Sequence, residues 1–240
     1  MTHLDLFAGA GGASWFGKLI GARCVGYVEN DEYCQQVIRA RIRDGIFDDA
    51  PIFSDVRTFD GLPYRGRVDL ITAGFPCQPF SCAGKRQGEA DERNLWPDTI
   101  RIVREVRPHW AIFENVAALA THRYFGTILS DIQAAGYELR RSPQIIGADE
   151  VGANHERLRL YIAACSDSTG GGWSQGRVGR SEESRNEPKR LGQTNPWGKW
   201  PFPPDAFRVS YGLAHREQRL RALGNGWIPA VAAEFWRRVI

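Results

Sequence analysis

The 240-residue chain is long enough for one domain of ordinary size with a buried core and a small accessory region. Hydrophobic residues make up 42% and charged residues 25% of the sequence, a balance that excludes a disordered chain. The formal net charge of +3 is too small to argue for nucleic-acid binding by itself.

The first two-thirds of the chain alternates strand-like and helix-like segments. In chain order, the patterns predict a strand at 3–7, a helix to about 20, a strand at 23–28, a helix at 33–43, a strand at 68–73, a helix at 95–106 and a strand at 110–113. This alternation is typical of a doubly wound α/β fold with right-handed crossovers and a mostly parallel sheet. Ligands of such folds bind beyond the carboxyl ends of the strands.

The composition changes near residue 166. From there to about 216 the sequence is rich in Gly, Ser, Arg, Pro and Trp without periodicity, which indicates a loop-rich insert or a partly disordered linker. Regular structure returns at 217–240, where a Gly-Asn-Gly turn precedes an amphipathic helix. We therefore expect residues 1–165 and 217–240 to form the main domain, and 166–216 to form a small separate region.

The cysteines and the N-terminal residues favour a cytoplasmic protein. The five cysteines are odd in number and form no C-x-x-C pair, which argues against a disulfide framework or a zinc site. The sequence MTHLDLFAGAGG has no basic stretch followed by an apolar run, and no segment reaches about 18 uninterrupted apolar residues. We expect no metal and no membrane partner.

A glycine loop follows the first predicted strand. The sequence DLFAGAGG, from Asp5 to Gly12, lets a ligand lie against bare backbone. Glu29 closes the second strand, where it is placed to accept hydrogen bonds from ribose hydroxyls, and Asp55 is placed to accept from an adenine amino group. The G-x-G-G spacing and the acid inside the first strand favour S-adenosylmethionine over a dinucleotide. The alternative is a glycine-rich turn with two surface acids.

One cysteine stands in a distinctive loop. The sequence GFPCQPFS follows the strand at 68–73, and Pro76 and Pro79 bracket Cys77, so the loop is stiff and can present a thiolate nucleophile. The alternative is a small buried hydrophobe. The cysteines without this proline bracket are expected to be buried in that way: Cys24, Cys34, Cys82 and Cys165.

Two further segments carry charges next to apolar strands. In WAIFENV an apolar strand ends in the carboxylate of Glu114 and an amide. Burial would raise the pKa of Glu114 and fit it to a heteroaromatic N–H; the alternative is a glutamate that caps the following helix. Arg157 and Arg159 alternate, so that on a strand both guanidinium groups would point to one face and suit a carbonyl oxygen, a phosphate or a neighbouring carboxylate. The alternative for this pair is a solvated face.

Together these segments resemble the DNA (cytosine-5) methyltransferase family, over most of 1–165 and again at 217–240. DLFAGAGG is similar to its cofactor loop, GFPCQPFS to its nucleophile loop, FENV to its glutamate motif, HERLR to its glutamine–arginine–arginine motif and LGNG to its C-terminal motif. The chain differs in having Asn154-His155 where the family usually has Pro-Gln, and in a very short target-recognition region at 166–216. This shortness resembles the compact enzymes of phages and prophages.

The resemblance implies an S-adenosylmethionine-dependent enzyme with a Rossmann-like fold that acts, as a monomer, on double-stranded DNA in a bacterial or phage-infected cell. It assigns Cys77 as the nucleophile toward a flipped-out cytosine, Glu114 to cytosine N3 and the amine, and Arg157 and Arg159 to the cytosine carbonyl and the loop. The residues that it assigns to the cofactor pocket are Phe7, Gly9, Gly11, Glu29, Asp55, Pro76, Leu95 and Asn225.

Three other functions stay open at this point. One is methylation of tRNA cytosine with the same fold and chemistry. Another is a catalytically silent DNA-binding relative, which would have no reason to keep all four of the implied catalytic side chains. The third is a dinucleotide-dependent oxidoreductase, in which the proline-bracketed cysteine has no place.

Overall fold

In the described part of the chain, a nine-stranded sheet has helices on both faces. The computed structural model describes residues 1–76, 94–166, 179–180 and 216–240. The strands are β1 Thr2–Leu6, β2 Arg23–Val28, β3 Ile52–Phe53, β4 Leu70–Ala73, β5 Trp110–Val116, β6 Glu138–Leu139, β7 Gln144–Ile146, β8 Arg159–Cys165 and β9 Gly179–Arg180. The helices are α1 Gly12–Leu19, α2 Glu32–Arg43, α3 Trp96–Val106, α4 Tyr124–Ala134, α5 Arg216–Asn225 and α6 Pro229–Val239.

The strand order is β3-β2-β1-β4-β5-β8-β7-β9, and β6 also pairs with β8. Strands β1 to β5 are mutually parallel, whereas β8 runs antiparallel to β5, β6 and β7. The chain begins in the middle of the sheet, winds outward through β2 and β3, and returns to build β4 and β5 on the other side. The predicted doubly wound, mostly parallel α/β fold is thus confirmed, and its topological switch point lies between β1 and β4.

Two apolar layers cover the sheet. On one face, β1 residues Leu4 and Leu6 pack with apolar residues of α3 and α4. On the other face, Leu70 and Ile112 pack with α1 and α6. Since side chains alternate along a strand, this second face also receives Asp5, Thr72 and Glu114. The face covered by α1 and α6, the α1/α6 face, therefore carries these three polar side chains.

Most predicted elements are confirmed to within two residues at each end. The strand at 23–28 matches β2, and the helix at 33–43 matches α2. Strand β5 runs three residues further than predicted, to Val116, because its antiparallel pairing with β8 continues through Glu114 and Asn115. None of the helices in the described ranges is long and apolar enough to cross a membrane.

Candidate active site

The glycine loop turns the chain from β1 into α1 through three residues with positive φ: Phe7 at 58°, Gly9 at 54° and Gly11 at 90°. Phe7 belonged to the predicted first strand, but this left-handed backbone ends β1 at Leu6. A Cβ atom added to Gly9 would meet no atom of the described residues within 4 Å. The backbone of the loop is thus open on that side, as close approach of a ligand requires.

Glu29 ties the end of β2 to the glycine loop. Its Oε2 accepts from the Gly9 N–H at 2.7 Å, and its Oε1 accepts from the Asp31 N–H, also at 2.7 Å. The residue is only 8% exposed, and burial raises its pKa, against the opposing effect of these backbone donors. The alternative of a surface acid is therefore wrong for Glu29.

Asp55 lies just beyond β3 and is partly exposed. Its Oδ1 accepts from the Arg57 N–H at 2.9 Å and from Arg57 Nε at 3.1 Å, and this donation lowers its pKa. Asp55 lines a groove of about 790 Å³ that also contains Phe53 and Tyr64. Of the described residues expected to hold the cofactor, Asp55 alone lines this groove. Leu95 precedes α3 and packs against the apolar layer that α3 and α4 form with the sheet.

The C-terminal Gly-Asn-Gly segment, which the sequence predicted to be a turn, lies beside the glycine loop, and its first two residues belong to helix α5. Asn225 ends α5, and Arg221 of the same helix forms an ion pair with Asp31, the N-cap of α2, at 2.9 Å. Just after the turn, the backbone of Trp227 packs so closely on Gly12 that a Cβ atom there would lie 2.8 Å from the Trp227 carbonyl oxygen. The structure therefore brings the first and last motifs of the chain together.

The expectation that Arg157 and Arg159 alternate on a strand is wrong. Arg159 is the first residue of β8, whereas Arg157 lies in the preceding loop with φ of 30°. The guanidinium of Arg157 donates to the carbonyls of Gly224 and Gly226, at 2.8 and 2.6 Å. Turn carbonyls are strong acceptors that a sequence pattern does not reveal, and here they draw Arg157 to the C-terminal motif.

Glu114 is buried on the α1/α6 face, with 5% of its surface exposed. Its Oε1 lies 3.0 Å from Nε of Arg159, an ion pair that is not aligned as a hydrogen bond. Burial raises the pKa of Glu114 to about 7, although Arg159 and then Arg157 oppose the shift. The helix-capping alternative is wrong, because the N-cap of the next helical turn is Val116.

A buried polar chain lies beneath the glycine loop. Asp5, fully buried in β1, accepts from the hydroxyl of Ser14 at 2.5 Å and from that of Thr72 at 3.1 Å. The Thr72 hydroxyl also lies 2.7 Å from Nε2 of His3. Desolvation raises the pKa of Asp5 to about 7 and lowers that of His3 to about 3. The sequence singled out Asp5 but not its partners, since those hydroxyls carry no motif.

The nucleophile proposed from the sequence, Cys77, lies outside the described residues, and so does Cys82. Pro76, the last described residue before it, is partly buried. The side-chain amide of Asn115, at the end of β5, donates to the carbonyl of Phe75 at 3.0 Å. This bond links the start of the cysteine loop to the segment that carries Glu114, and sequence reasoning did not anticipate it.

The remaining described cysteines fit the buried-hydrophobe interpretation. Cys24, Cys34 and Cys165 are buried, and burial raises the pKa values of Cys24 and Cys34 to about 12. Thiols of this kind are unreactive. Within the described ranges, His, Cys, Asp and Glu form no group that could hold a metal ion.

Comparison with known proteins gives a consistent family. The model of the C-5 cytosine-specific DNA methylase family matches residues 1–195. The chain is 36% identical over 174 residues to type II methyltransferase M.HpaII of Haemophilus parainfluenzae, covering 70% of this chain and 47% of that protein. It is 33% identical over 162 residues to type II methyltransferase M.CviJI of Paramecium bursaria Chlorella virus IL3A, covering 67% and 42%. The chain thus spans less than half the length of these relatives.

Solved structures share the fold. Spodoptera frugiperda DNMT2 superposes with a TM-score of 0.58 at 20% identity, covering 70% of this chain and 51% of that one. A prophage-encoded protein of Escherichia coli, assigned as a DNA modification methyltransferase, gives a TM-score of 0.56 at 24% identity and covers 69% and 46%. At these identities the likeness concerns the fold alone.

Proposed function

The chain belongs to the C-5 cytosine-specific DNA methylase family, and on that premise we propose that it transfers a methyl group from S-adenosylmethionine to C5 of cytosine in double-stranded DNA. The observation that supports this best is the state of Glu114. It is a buried carboxyl group with a pKa of about 7, paired with Arg159, near the carboxyl end of β5, the neighbour of β4 at the switch point. Such a group can hold a proton at neutral pH and give it to a base nitrogen.

The described residues fit S-adenosylmethionine. The open backbone at Gly9 leaves room for close contact, and Glu29 is fixed beside it with oxygen lone pairs that still accept from ribose hydroxyls. The residues that would hold the cofactor are Phe7, Gly9, Gly11, Glu29, Asp55, Pro76, Leu95 and Asn225. When bound, the cofactor supplies a methyl group on a positively charged sulfonium.

The chain's own residues would activate the cytosine. Cytosine C5 is a poor nucleophile, so the Cys77 thiolate adds to C6 while Glu114 gives its proton to N3, and C5 gains the electron density of an enamine. C5 then accepts the methyl group, loses its proton to a base, and the thiolate leaves as the C5–C6 double bond re-forms and N3 returns its proton. Arg159 lies where it can balance the charge of the ionised Glu114.

DNA would be held by the remaining region of the chain. The reacting atom is inaccessible in stacked duplex, so the cytosine has to be flipped out, at a cost of a few kcal/mol. We assign 166–216 as a small target-recognition region whose arginines and lysines contact phosphate and bases, next to a catalytic domain of 1–165 and 217–240. The short region supports a compact, phage- or prophage-type enzyme.

Bisulfite sequencing of DNA from a host that expresses the chain tests the activity and the target sequence together. We expect 5-methylcytosine at one short sequence motif, and none in a host that expresses Cys77→Ser. A competition assay with tritiated S-adenosylmethionine, duplex DNA and tRNA separates DNA methylation from the tRNA alternative. Label transferred to tRNA alone, or unchanged methylation by Cys77→Ser, would overturn the proposal.

A further inference from the structure

Trp227 has a buried indole N–H that lacks a hydrogen-bond acceptor among the residues that the structure describes. Its side chain is only 8% exposed, and Nε1 is buried without a partner. Buried tryptophans usually find an acceptor, as Trp96 does by donating to Asp131 Oδ2 at 2.8 Å. A buried donor without a hydrogen-bond acceptor is destabilising, so its presence at Trp227 calls for a functional explanation.

Two glycines make room for Trp227 at the switch point. Its backbone packs on Gly12, and its indole packs under Gly74, the residue that follows β4. A Cβ atom on Gly74 would lie 2.5 Å from Trp227 Nε1 and 3.5 Å from Glu114 Oε2. The indole nitrogen and this carboxylate oxygen thus flank the space that a side chain at position 74 would fill.

We propose that Trp227 is a positioning residue for Glu114, and that its indole N–H stabilises the carboxylate that remains after Glu114 has given its proton to the base. The N–H reaches Glu114 Oε2 by a small closure or through one water molecule. This inference rests on the proposed function, because it assigns a partner to the proton donor of that reaction.

The other groups around Glu114 leave this stabilising hydrogen bond to be made by Trp227. Arg159 balances the charge of Oε1, but no aligned hydrogen bond reaches that atom. The hydroxyl of Tyr161, directly opposite Glu114 on β8, is also buried without a partner, and its aromatic ring meets that of Trp227 edge-on at 5.9 Å. Two polar groups with unused hydrogen-bonding capacity, the Trp227 indole and the Tyr161 hydroxyl, therefore lie around one buried carboxyl group.

The charges around Glu114 set the direction of the expected effect. The described charges that act on Glu114 are those of Arg159 on β8 and Arg157 in the loop before it, and Tyr161 lies opposite it on β8. Asp5 and His3 lie further along this side of the sheet, and α6 contributes Glu234 and Arg238. Burial holds the pKa of Glu114 near 7 in the free protein. A donor that serves the ionised form lowers this pKa, and removal of the donor raises it.

Nuclear magnetic resonance of the free protein tests the contact without DNA or cofactor. The Trp227 indole resonance, identified by its loss in Trp227→Phe, should shift with pH with a midpoint near 7, and the titration should vanish in Glu114→Gln. Trp236→Phe is a matched control, because Trp236 is another buried tryptophan against Phe16. This control should leave the titration of Trp227 unchanged. An indole signal that does not titrate, or that still titrates in Glu114→Gln, overturns the proposal.

The pH dependence of methyl transfer gives a second readout. Since Glu114 acts in its protonated form, kcat should fall as pH rises through its pKa. Trp227→Phe keeps the ring and removes the donor, so this basic limb should move up by about one pH unit while kcat falls several-fold. A basic limb that stays in place, as we expect for Trp236→Phe, also overturns the proposal. If the indole titrates but no DNA is methylated, the contact stands and only the proposed function fails.

Discussion

Arg159 and Glu114 form a buried ion pair across two antiparallel strands, with 3.0 Å between Nε and Oε1 and side-chain exposures of 17% and 6%. Because water screens such a pair weakly, the guanidinium strongly influences the protonation of the carboxyl group. It is also the largest of the charges that lower the pKa of Glu114 against burial. The site thus holds a proton donor whose conjugate base already has a counter-ion.

Arg159→Ala should remove this counter-ion and raise the pKa of Glu114 further above 7. The carboxylate left after proton transfer would then be uncompensated, so kcat/KM should fall by about 100-fold or more. Arg159→Lys keeps the charge without the planar guanidinium, so its kcat/KM should lie between the values of wild type and Arg159→Ala. Steady-state assays at pH 7.5 provide the measurement. Arg237→Ala is the control, because Arg237 is 74% exposed in its ion pair with Glu234. Retention of more than a tenth of the activity by Arg159→Ala would contradict the assigned role.

Glu114 should also make folding stability depend on pH. Its pKa is raised from 4.5 to about 7 in the folded protein, so the folded state binds the proton more tightly than the unfolded chain. The stabilisation is complete below about pH 4.5 and is lost as pH rises through 7, a difference of roughly 3 kcal/mol. Between pH 5 and 8, wild type should therefore lose about this much free energy of unfolding relative to Glu114→Gln. Urea titrations at the two pH values test this; a difference between the proteins that does not change with pH would refute it.

The sequence predicted most of the fold because strand and helix periodicities here agree with the tertiary structure. The strand at 23–28 and the helix at 33–43 are long, strongly patterned segments. The end of β5 at Val116 was missed because it depends on pairing with β8, a strand distant in the chain. Local periodicity does not contain such pairings.

The sequence predicted the charged residues of the candidate site better than it predicted the contacts that they make. Glu114 and Glu29 follow apolar strands, where a charge is costly enough to signal a task. The bonds of Arg157 to Gly224 and Gly226, and the indole of Trp227 under Gly74, depend on the approach of the C-terminal segment. The resemblance had assigned Asn225 of this segment to the cofactor pocket, but no local pattern specified these contacts.

Gly12→Ala should destabilise the protein through its contact with Trp227. The added Cβ atom would lie 2.8 Å from the carbonyl oxygen and 2.9 Å from the amide nitrogen of Trp227, and backbone atoms cannot yield as a flexible side chain does. We expect a loss of about 1–3 kcal/mol by thermal or urea unfolding.

Gly126→Ala is the matched control for that substitution. Gly126 lies on the exposed side of α4, and a Cβ atom there would meet nothing within 4 Å. This change should be neutral or stabilising by about 0.5–1 kcal/mol, because alanine is the better helix former. Equal effects at Gly12 and Gly126 would show that the C-terminal segment does not press on the glycine loop.

Glu29→Gln should weaken cofactor binding without unfolding the protein. The carboxylate accepts from the Gly9 and Asp31 N–H groups with one oxygen each, whereas an amide can satisfy only one of them and turns a donor toward the other. The glycine loop then loses one of its two anchors, and a ribose loses a charged acceptor. Isothermal titration with S-adenosylmethionine should give a Kd about 10–100-fold higher than wild type, roughly 1.4–2.8 kcal/mol. Glu32→Gln, an exposed neighbour in the first turn of α2, should bind normally. If Glu29→Gln binds as tightly as this control, Glu29 does not hold the cofactor.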